Sequence, residues 1–198
     1  MKKEILVATS NAGKYEEIKS FLQKYKLATV SPIDLNIDIE VEETGTTLGE
    51  NAKLKVMAFQ KLVPNRLILA DDRGLEISAL SNEPGIYVRR WKDKKTHLTD
   101  EEILDYCLER MKNIPKGKRN GQFRSIAALA IPNRGVELFE GTVEGEILEK
   151  PEPFRVKGLP FDCLFYIPKE NSMLRDARES HWNKAIAKAI PRIKELLK

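Results

Sequence analysis

Ile5 to Thr9 are all apolar or β-branched, and a polar turn, Ser10-Asn11-Ala12-Gly13-Lys14, follows them. Tyr15, Ile18, Phe21, Leu22 and Tyr25 then recur at helical spacing, which predicts an amphipathic helix over residues 13–25. Strand, turn and helix in that order open an α/β unit. Leu27 to Val30 predicts a second strand, and residues 31–46, with Pro32 and a run of acids, predict a connection. A second helix is expected from Thr46 or Thr47 through Leu62, with Thr47 and Glu50 spaced as a capping box and Pro64 stopping it. Leu67 to Ala70 predicts a short buried strand that ends in Asp71-Asp72-Arg73-Gly74. Open α/β sheets place their ligands at such carboxyl ends.

The second half changes character. Leu98 to Met111 predicts a third helix with Thr99 as N-cap, followed by three acids that suit its dipole. Phe123–Ile131 and Val136–Leu148 have strand composition, and Asn133-Arg134-Gly135 predicts the turn of a hairpin. Phe161–Ile167 predicts a further strand. Residues 182–198 predict a closing helix with Ile186, Ala189, Ile190, Ile193, Leu196 and Leu197 on its apolar side, and Pro191 predicts a kink or a late start. No internal repeat or low-complexity linker interrupts the chain.

A length of 198 residues allows one sizeable core and is short for two. With 41% hydrophobic and 32% charged residues, the composition is that of an ordinary globular protein. No segment nears the ~20 apolar residues of a membrane span. The beginning has two lysines, but Glu4 follows at once and the apolar run is short, so it reads as a buried strand and not a secretory signal. A cytoplasmic protein is expected. Cys107 and Cys163 form no CxxC pair, and Cys107 falls on the apolar stripe of the third helix. Two histidines cannot build a His-rich metal site. The net charge of +4 is spread along the chain, the densest runs being residues 92–95 and 116–119. With no RNP-like aromatic motif and no clustered basic face, nucleic acid is not the expected partner.

Three polar clusters carry the candidate chemistry. Thr9 to Lys14 leads into a helix N-terminus, where free N–H groups, the dipole and the Lys14 charge suit a phosphate chain; the same residue types would also serve a plain capped helix start. It is not a Walker A loop, since it lacks the first glycine and the Ser/Thr after the lysine. Glu42-Glu43-Thr44-Gly45 precedes Glu50-Asn51-Ala52-Lys53-Leu54-Lys55, and Asp71-Asp72 leaves the third strand. Oxygen donors without histidine or thiolate select a hard cation such as Mg²⁺. An acidic turn beside a solvated helix face would read the same way.

Taken together, the clusters resemble the inosine triphosphate pyrophosphatases, the house-cleaning enzymes of ITP, dITP and XTP. The signature T-x-N-x-x-K is present as Thr9, Asn11 and Lys14, and E-x-G-x-T-x-x-E-N-A as Glu43, Gly45, Thr47, Glu50, Asn51 and Ala52. A-D-D-[ST]-G-L is met by Ala70, Asp71, Asp72, Gly74 and Leu75, with Arg73 where Ser or Thr is expected. Pro84, Gly85, Ile86, Tyr87, Arg90 and Trp91 match P-G-[VI]-Y-x-x-R-[WY], and Gly141, Val143, Gly145 and Ile147 match G-x-V-x-G-x-I. The resemblance implies one α/β domain over residues 1–198, elongated and two-lobed, with a central mixed β-sheet flanked by helices and a ligand cleft between the lobes. It implies Mg²⁺ held by Glu43 and Asp72, with Asp72 also the general base toward water. Thr9, Ser10, Asn11 and Lys14 would cradle phosphates, assisted by Lys55 and neighboured by Arg73. A purine nucleoside triphosphate would yield a monophosphate and pyrophosphate, and a homodimer is expected.

The base-reading end departs from that pattern. G-G-F-G-[YW]-D-P-[LI]-F is represented by Lys157-Gly158-Leu159-Pro160-Phe161-Asp162-Cys163-Leu164-Phe165, so Leu159 stands where a base-stacking phenylalanine is expected and Asp162 is kept. Asp176 replaces a lysine, and S-H-R is Ser180-His181-Trp182. Phe161 or Trp182 could then supply stacking. The usual substrates, the same reaction on another base, and nucleotide binding with little hydrolysis all follow from such changes.

Overall fold

A computed structural model of the chain describes residues 4–198. Lys2 and Lys3, which entered the reading of the amino-terminal start, lie outside the described residues. The strands are β1 (Ile5–Val7), β2 (Thr29–Val30), β3 (Ile68–Ile77), β4 (Glu83–Gly85), β5 (Asn120–Ile131), β6 (Gly135–Ile147), β7 (Phe165–Ile167) and β8 (Ser172–Met173). The helices are α1 (Ala12–Gln23), α2 (Leu48–Leu62), α3 (Asp100–Met111) and α4 (His181–Leu196). The strands form one mixed sheet in the order β2-β1-β3-β5-β6-β7-β8, with β4 also paired to β3. β1 is parallel to β2 and β3; the β3–β4, β6–β7 and β7–β8 pairs are antiparallel.

The chain divides into two compact units. One runs up to Asp72 and adds Ser125–Gly141 and Trp182–Lys198; the other comprises Arg73–Arg124 and Thr142–His181. In the first unit the strands carry continuous apolar runs because both faces are covered. Alternation divides them: Ile5, Val7, Leu69, Ala127 and Leu129 pack with Ile18 and Leu22 of α1 and with Ala185, Ile186, Ala189, Ile190 and Ile193 of α4. Leu6, Ala8, Ile68, Ala70, Ala128 and Ala130 pack on Ala52, Val56 and Phe59 of α2. In the second unit Ile103, Leu104, Cys107 and Met111 of α3 pack against Leu75, Ile77, Phe123, Val143, Ile147 and Phe165.

Local signals set the helix starts. The Asn11 side chain accepts the Lys14 N–H, and Thr47 with Glu50, and Thr99 with Glu102, form complete capping boxes. Pro191 sits inside α4 without delaying it; the helix begins at His181, ten residues earlier, held by its buried stripe.

Two elements differ from the sequence expectation. β3 does not end at Asp71 but continues to Ile77, because Leu75 and Ile77 are fully buried and pair with β4. The predicted strand over Phe161–Ile167 is a 3₁₀ turn at Pro160–Cys163 followed by a strand beginning at Phe165. Pro160 has no N–H for a ladder, and its carbonyl instead accepts from the Cys163 thiol at 3.3 Å.

Candidate active site

The β1–β3 register builds one wall of the site. Val7 is level with Leu69, and the Ala8 N–H donates to the Leu69 carbonyl at 2.8 Å. The chain turns directly after β1, the Thr9 N–H donating to the Val7 carbonyl at 3.0 Å. The Asn11 N–H donates to Thr9 Oγ1 at 3.2 Å and Asn11 Oδ1 accepts the Lys14 N–H at 3.1 Å. Thr9 is half-buried, Ser10 and Asn11 are exposed, and α1 starts with its remaining N–H groups toward that turn.

The segment before α2 contributes the second wall. Ile37, Ile39 and Val41 are partly buried against the core while Asp38, Glu40 and Glu42 are exposed. Period-two alternation continued for one more step turns Glu43, and not Glu42, inward. The Glu43 carboxylate reaches Lys55 Nζ at 2.8 Å. Lys55 stands one helical turn after Asn51 on α2, so both side chains share a face. Asn51 Oδ1 accepts the Gly45 N–H at 2.8 Å, and its Nδ2 approaches Asp72 Oδ2 at 3.5 Å. Glu50 of the same cluster is engaged in the helix cap, accepting from Thr46 and Thr47.

Lys55 gathers the acids. Its ammonium donates to Asp72 Oδ1 at 2.8 Å and to the Asp71 carbonyl at 3.2 Å, besides the Glu43 contact. Asp71 and Asp72 are 4% and 7% exposed. Burial pushes the Asp72 carboxyl above the usual carboxylate range; the Lys55 ammonium pulls it down without cancelling the effect, and Lys14 adds a smaller pull in the same direction. Burial works against the Lys55 charge, but Asp72 and Glu43 outweigh it and hold the ammonium above the ordinary lysine value. A buried carboxylate more basic than usual, ringed by cations, can take a proton from water and tolerate a polyanion nearby.

No group of three or more His, Cys, Asp or Glu side chains arranged to hold a metal occurs among the described residues. The pair Glu43 and Asp72 converges on one cation, however, and magnesium sites are commonly completed by one or two carboxylates with water and substrate phosphate. The donor set therefore fits a hard cation that arrives with phosphate. A separate cavity of about 350 Å³ between Tyr25–Ala28 and Lys194–Lys198 contains none of the predicted site residues.

The remaining predicted residues are divided between the two units. Arg73, Leu159, Phe161, Asp162 and His181 lie in the second unit, and Trp182 in the first. Phe161 is 2% exposed, with Phe123 at 5.9 Å and Trp91 at 6.4 Å between ring centroids, so its ring is part of the core. His181 stacks on Phe123 at 5.0 Å, Trp182 lies edge-on to Phe21 at 5.6 Å, and Leu159 is half-buried. The roles of Asn51 and Gly45 were missed from the sequence, although the four-residue step from Asn51 to Lys55 was a usable signal.

A mixed sheet covered by four helices, with an acid–lysine cluster on β3 just past its pairing with parallel β1, defines an α/β protein with a buried charged site. The Ham1 family profile matches residues 5–192, and the chain belongs to that family. A dITP/XTP pyrophosphatase of Bacillus subtilis (strain 168) is 33% identical over 197 residues, covering 98% of this chain and 97% of the relative. One from Staphylococcus aureus (strain MRSA252) is 36% identical over 167 residues, 84% of this chain and 81% of the relative. Among solved structures, the Ham1 protein of Staphylococcus aureus superposes with a TM-score of 0.80 at 32% identity, over 98% of this chain and 99% of that one. A HAM1 protein from Coxiella burnetii gives 0.81 at 27% identity, over 98% and 100%.

Proposed function

We propose that this protein hydrolyses non-standard purine nucleoside triphosphates of the ITP, dITP and XTP type to the monophosphate and pyrophosphate. The observation that carries the reading is the convergence of Glu43 and Asp72 on Lys55 Nζ, each at 2.8 Å, in a chain whose relatives bear the dITP/XTP pyrophosphatase name. Glu43 and Asp72 would hold Mg²⁺, which when bound neutralises phosphate charge and polarises the reacting group. Asp72, made basic by burial, accepts a proton from the attacking water. The α1 amino terminus with Thr9, Ser10, Asn11 and Lys14 binds phosphate oxygens, and Lys55 supplies further positive charge. The family resemblance supports action on free nucleotides in the cytoplasm as a homodimer. No helix among the described residues is long and apolar enough to cross a membrane.

The test is pyrophosphate release with Mg²⁺ from ITP, dITP, XTP, the standard triphosphates and modified purines. Release from the first three with loss of about 10²-fold or more in D72N, nucleotide binding being kept, is the expected result. Near-normal turnover in D72N would remove Asp72 from its role. A second reading, the same reaction on another base, is favoured by one observation: the Phe161 ring is enclosed by Phe123 and Trp91, and the half-buried residue at the motif's aromatic place is Leu159. The same panel decides between the two.

A further inference from the structure

We infer that Lys55 is a resident counter-cation that holds Glu43 and Asp72 together before metal arrives, and that a divalent cation competes with its ammonium for the two carboxylates until nucleotide phosphates give the ammonium new partners. The inference rests on the reading of Glu43 and Asp72 as metal ligands. Two carboxylates brought together, one of them only 7% exposed, repel each other and lose hydration. Lys55 relieves both costs. An ammonium has three N–H donors, and all three have partners: Glu43 Oε1 at 2.8 Å, Asp72 Oδ1 at 2.8 Å and the Asp71 carbonyl at 3.2 Å. None is left over for phosphate. Lys55 therefore binds either inward, to the acids, or outward, to substrate, and each outward contact releases an inward one.

The same geometry sets the order of events. Glu43 and Asp72 each point an oxygen at Nζ, so a metal using those oxygens meets a positive charge already in place. Without nucleotide the site repels the metal it is built to hold. With nucleotide, the phosphates draw Lys55 outward, free the carboxylates and add oxygen donors of their own. Metal and nucleotide then bind with mutual reinforcement, a coupling between two ligands through one side chain with two sets of partners. The Lys14 charge is also felt at Asp72, and its backbone N–H is held by the Asn11 cap at the start of α1.

The experiment is Mn²⁺ titration followed by the electron paramagnetic resonance signal of free Mn²⁺, on wild type, K55M and K55R, each with and without a non-hydrolysable α,β-methylene analogue of ITP. Without nucleotide, K55M is expected to bind Mn²⁺ about tenfold or more tighter than wild type, while K55R stays close to wild type. The analogue is expected to tighten Mn²⁺ binding in wild type far more than in K55M. Thermal melting keeps the test decisive where K55M is marginally folded: Mn²⁺ alone should raise its melting temperature by more than it raises that of wild type. Equal or weaker Mn²⁺ affinity in K55M, or an equal or smaller thermal shift, overturns the inference. Failure of the underlying metal reading looks different: no protein binds Mn²⁺ even with the analogue, and E43Q changes nothing.

Discussion

Arg89 and Asp100 hold the backbone of Gly158 between them. Arg89 Nη1 donates to Asp100 Oδ1 at 2.5 Å, Arg89 Nη2 donates to the Gly158 carbonyl at 2.7 Å, and the Gly158 N–H donates to Asp100 Oδ2 at 2.7 Å. Gly158 sits at φ +85°, a conformation that favours glycine. One residue of α3 further on, Glu101 accepts from Arg155 Nε at 2.8 Å. The first turn of α3 therefore ties down the segment that departs most from the family pattern, Lys157 to Cys163. R89A should cost about 1–2 kcal/mol and speed amide exchange over residues 154–163 selectively. R89K should rescue only in part, since an ammonium cannot bridge a carboxylate and a carbonyl as a planar fork does. Uniform exchange across the second unit would show that the clamp is not local.

Gly45 lies too close to the acid cluster to carry a side chain. A Cβ there would come within 2.6 Å of Asn51 Oδ1, 2.7 Å of Glu50 Cβ and 3.0 Å of the Asn51 nitrogen. G45A must therefore displace Asn51, whose amide touches Asp72, or strain the start of α2. The expected result is a loss of roughly 10–100-fold in turnover, since small misplacements at a reacting centre are costly. The accompanying destabilisation should be about 1–3 kcal/mol. Pyrophosphate release and thermal melts on the same preparation separate the two effects; unchanged turnover would detach Asn51 from the site.

What could be read from the sequence follows the range of the interactions. The caps at Thr47–Glu50 and Thr99–Glu102 are three-residue patterns and were legible, as were the hairpin turn near Asn133 and the α4 stripe. The extension of β3 through Asp71-Asp72-Arg73-Gly74 was not. Within that strand the Asp72 carboxylate is met by Lys55, 17 positions away, and no local period records that. Phe161 misled for a similar reason. Its neighbours Trp91 and Phe123 come from distant segments, and Pro160 turns the chain so that the ring enters the core. At the proposed metal-ligand pair, the choice of Glu43 over Glu42 gains a physical basis only from the partial burial of Ile37, Ile39 and Val41 six, four and two positions before it.

Asp93 gives the acid-sensitive part of the fold a defined window. Its carboxylate accepts the Thr96 hydroxyl at 2.6 Å and the N–H groups of Thr96 and Lys95 at 2.7 and 2.8 Å. The Thr96 hydroxyl first, then those N–H groups, lower its pKa from 3.8 to about 2. A folded-state value below the unfolded one contributes stability above the unfolded value and loses it as pH falls through the folded value. D93N should therefore melt below wild type at neutral pH. The gap should shrink from pH 3.8 downward and close near about 2. A gap that persists below that range would mean the loop is held by something other than the ionised carboxylate.

Arg119 carries the largest stability prediction. Its guanidinium is 4% exposed and has no carboxylate in its hydrogen-bond set; Nε donates to the Ile147 carbonyl at 2.8 Å, Nη1 to Met111 and Ile114 at 2.7 and 3.0 Å, and Nη2 to Leu148 at 2.9 Å. One side chain thus satisfies the open carbonyl end of α3, the turn after it and the end of β6, while the Ile147 N–H donates back to the Arg119 carbonyl at 2.9 Å. Nearby, burial pushes the Cys107 thiol up to about 12, with Arg119 drawing it only partly down, so the thiol stays protonated and inert. R119M would fill similar space but leave up to three carbonyls without donors, Met111 keeping the Ile114 N–H, for an expected loss of about 3–5 kcal/mol in urea unfolding. R119K offers three donors from one point and cannot reach carbonyls spread around a plane, so it should recover less than half of that loss. The acid cluster belongs to the other unit, so folded R119K should keep its Mn²⁺ affinity. A cost below about 1 kcal/mol in R119M would mean that those carbonyls find other donors, water included.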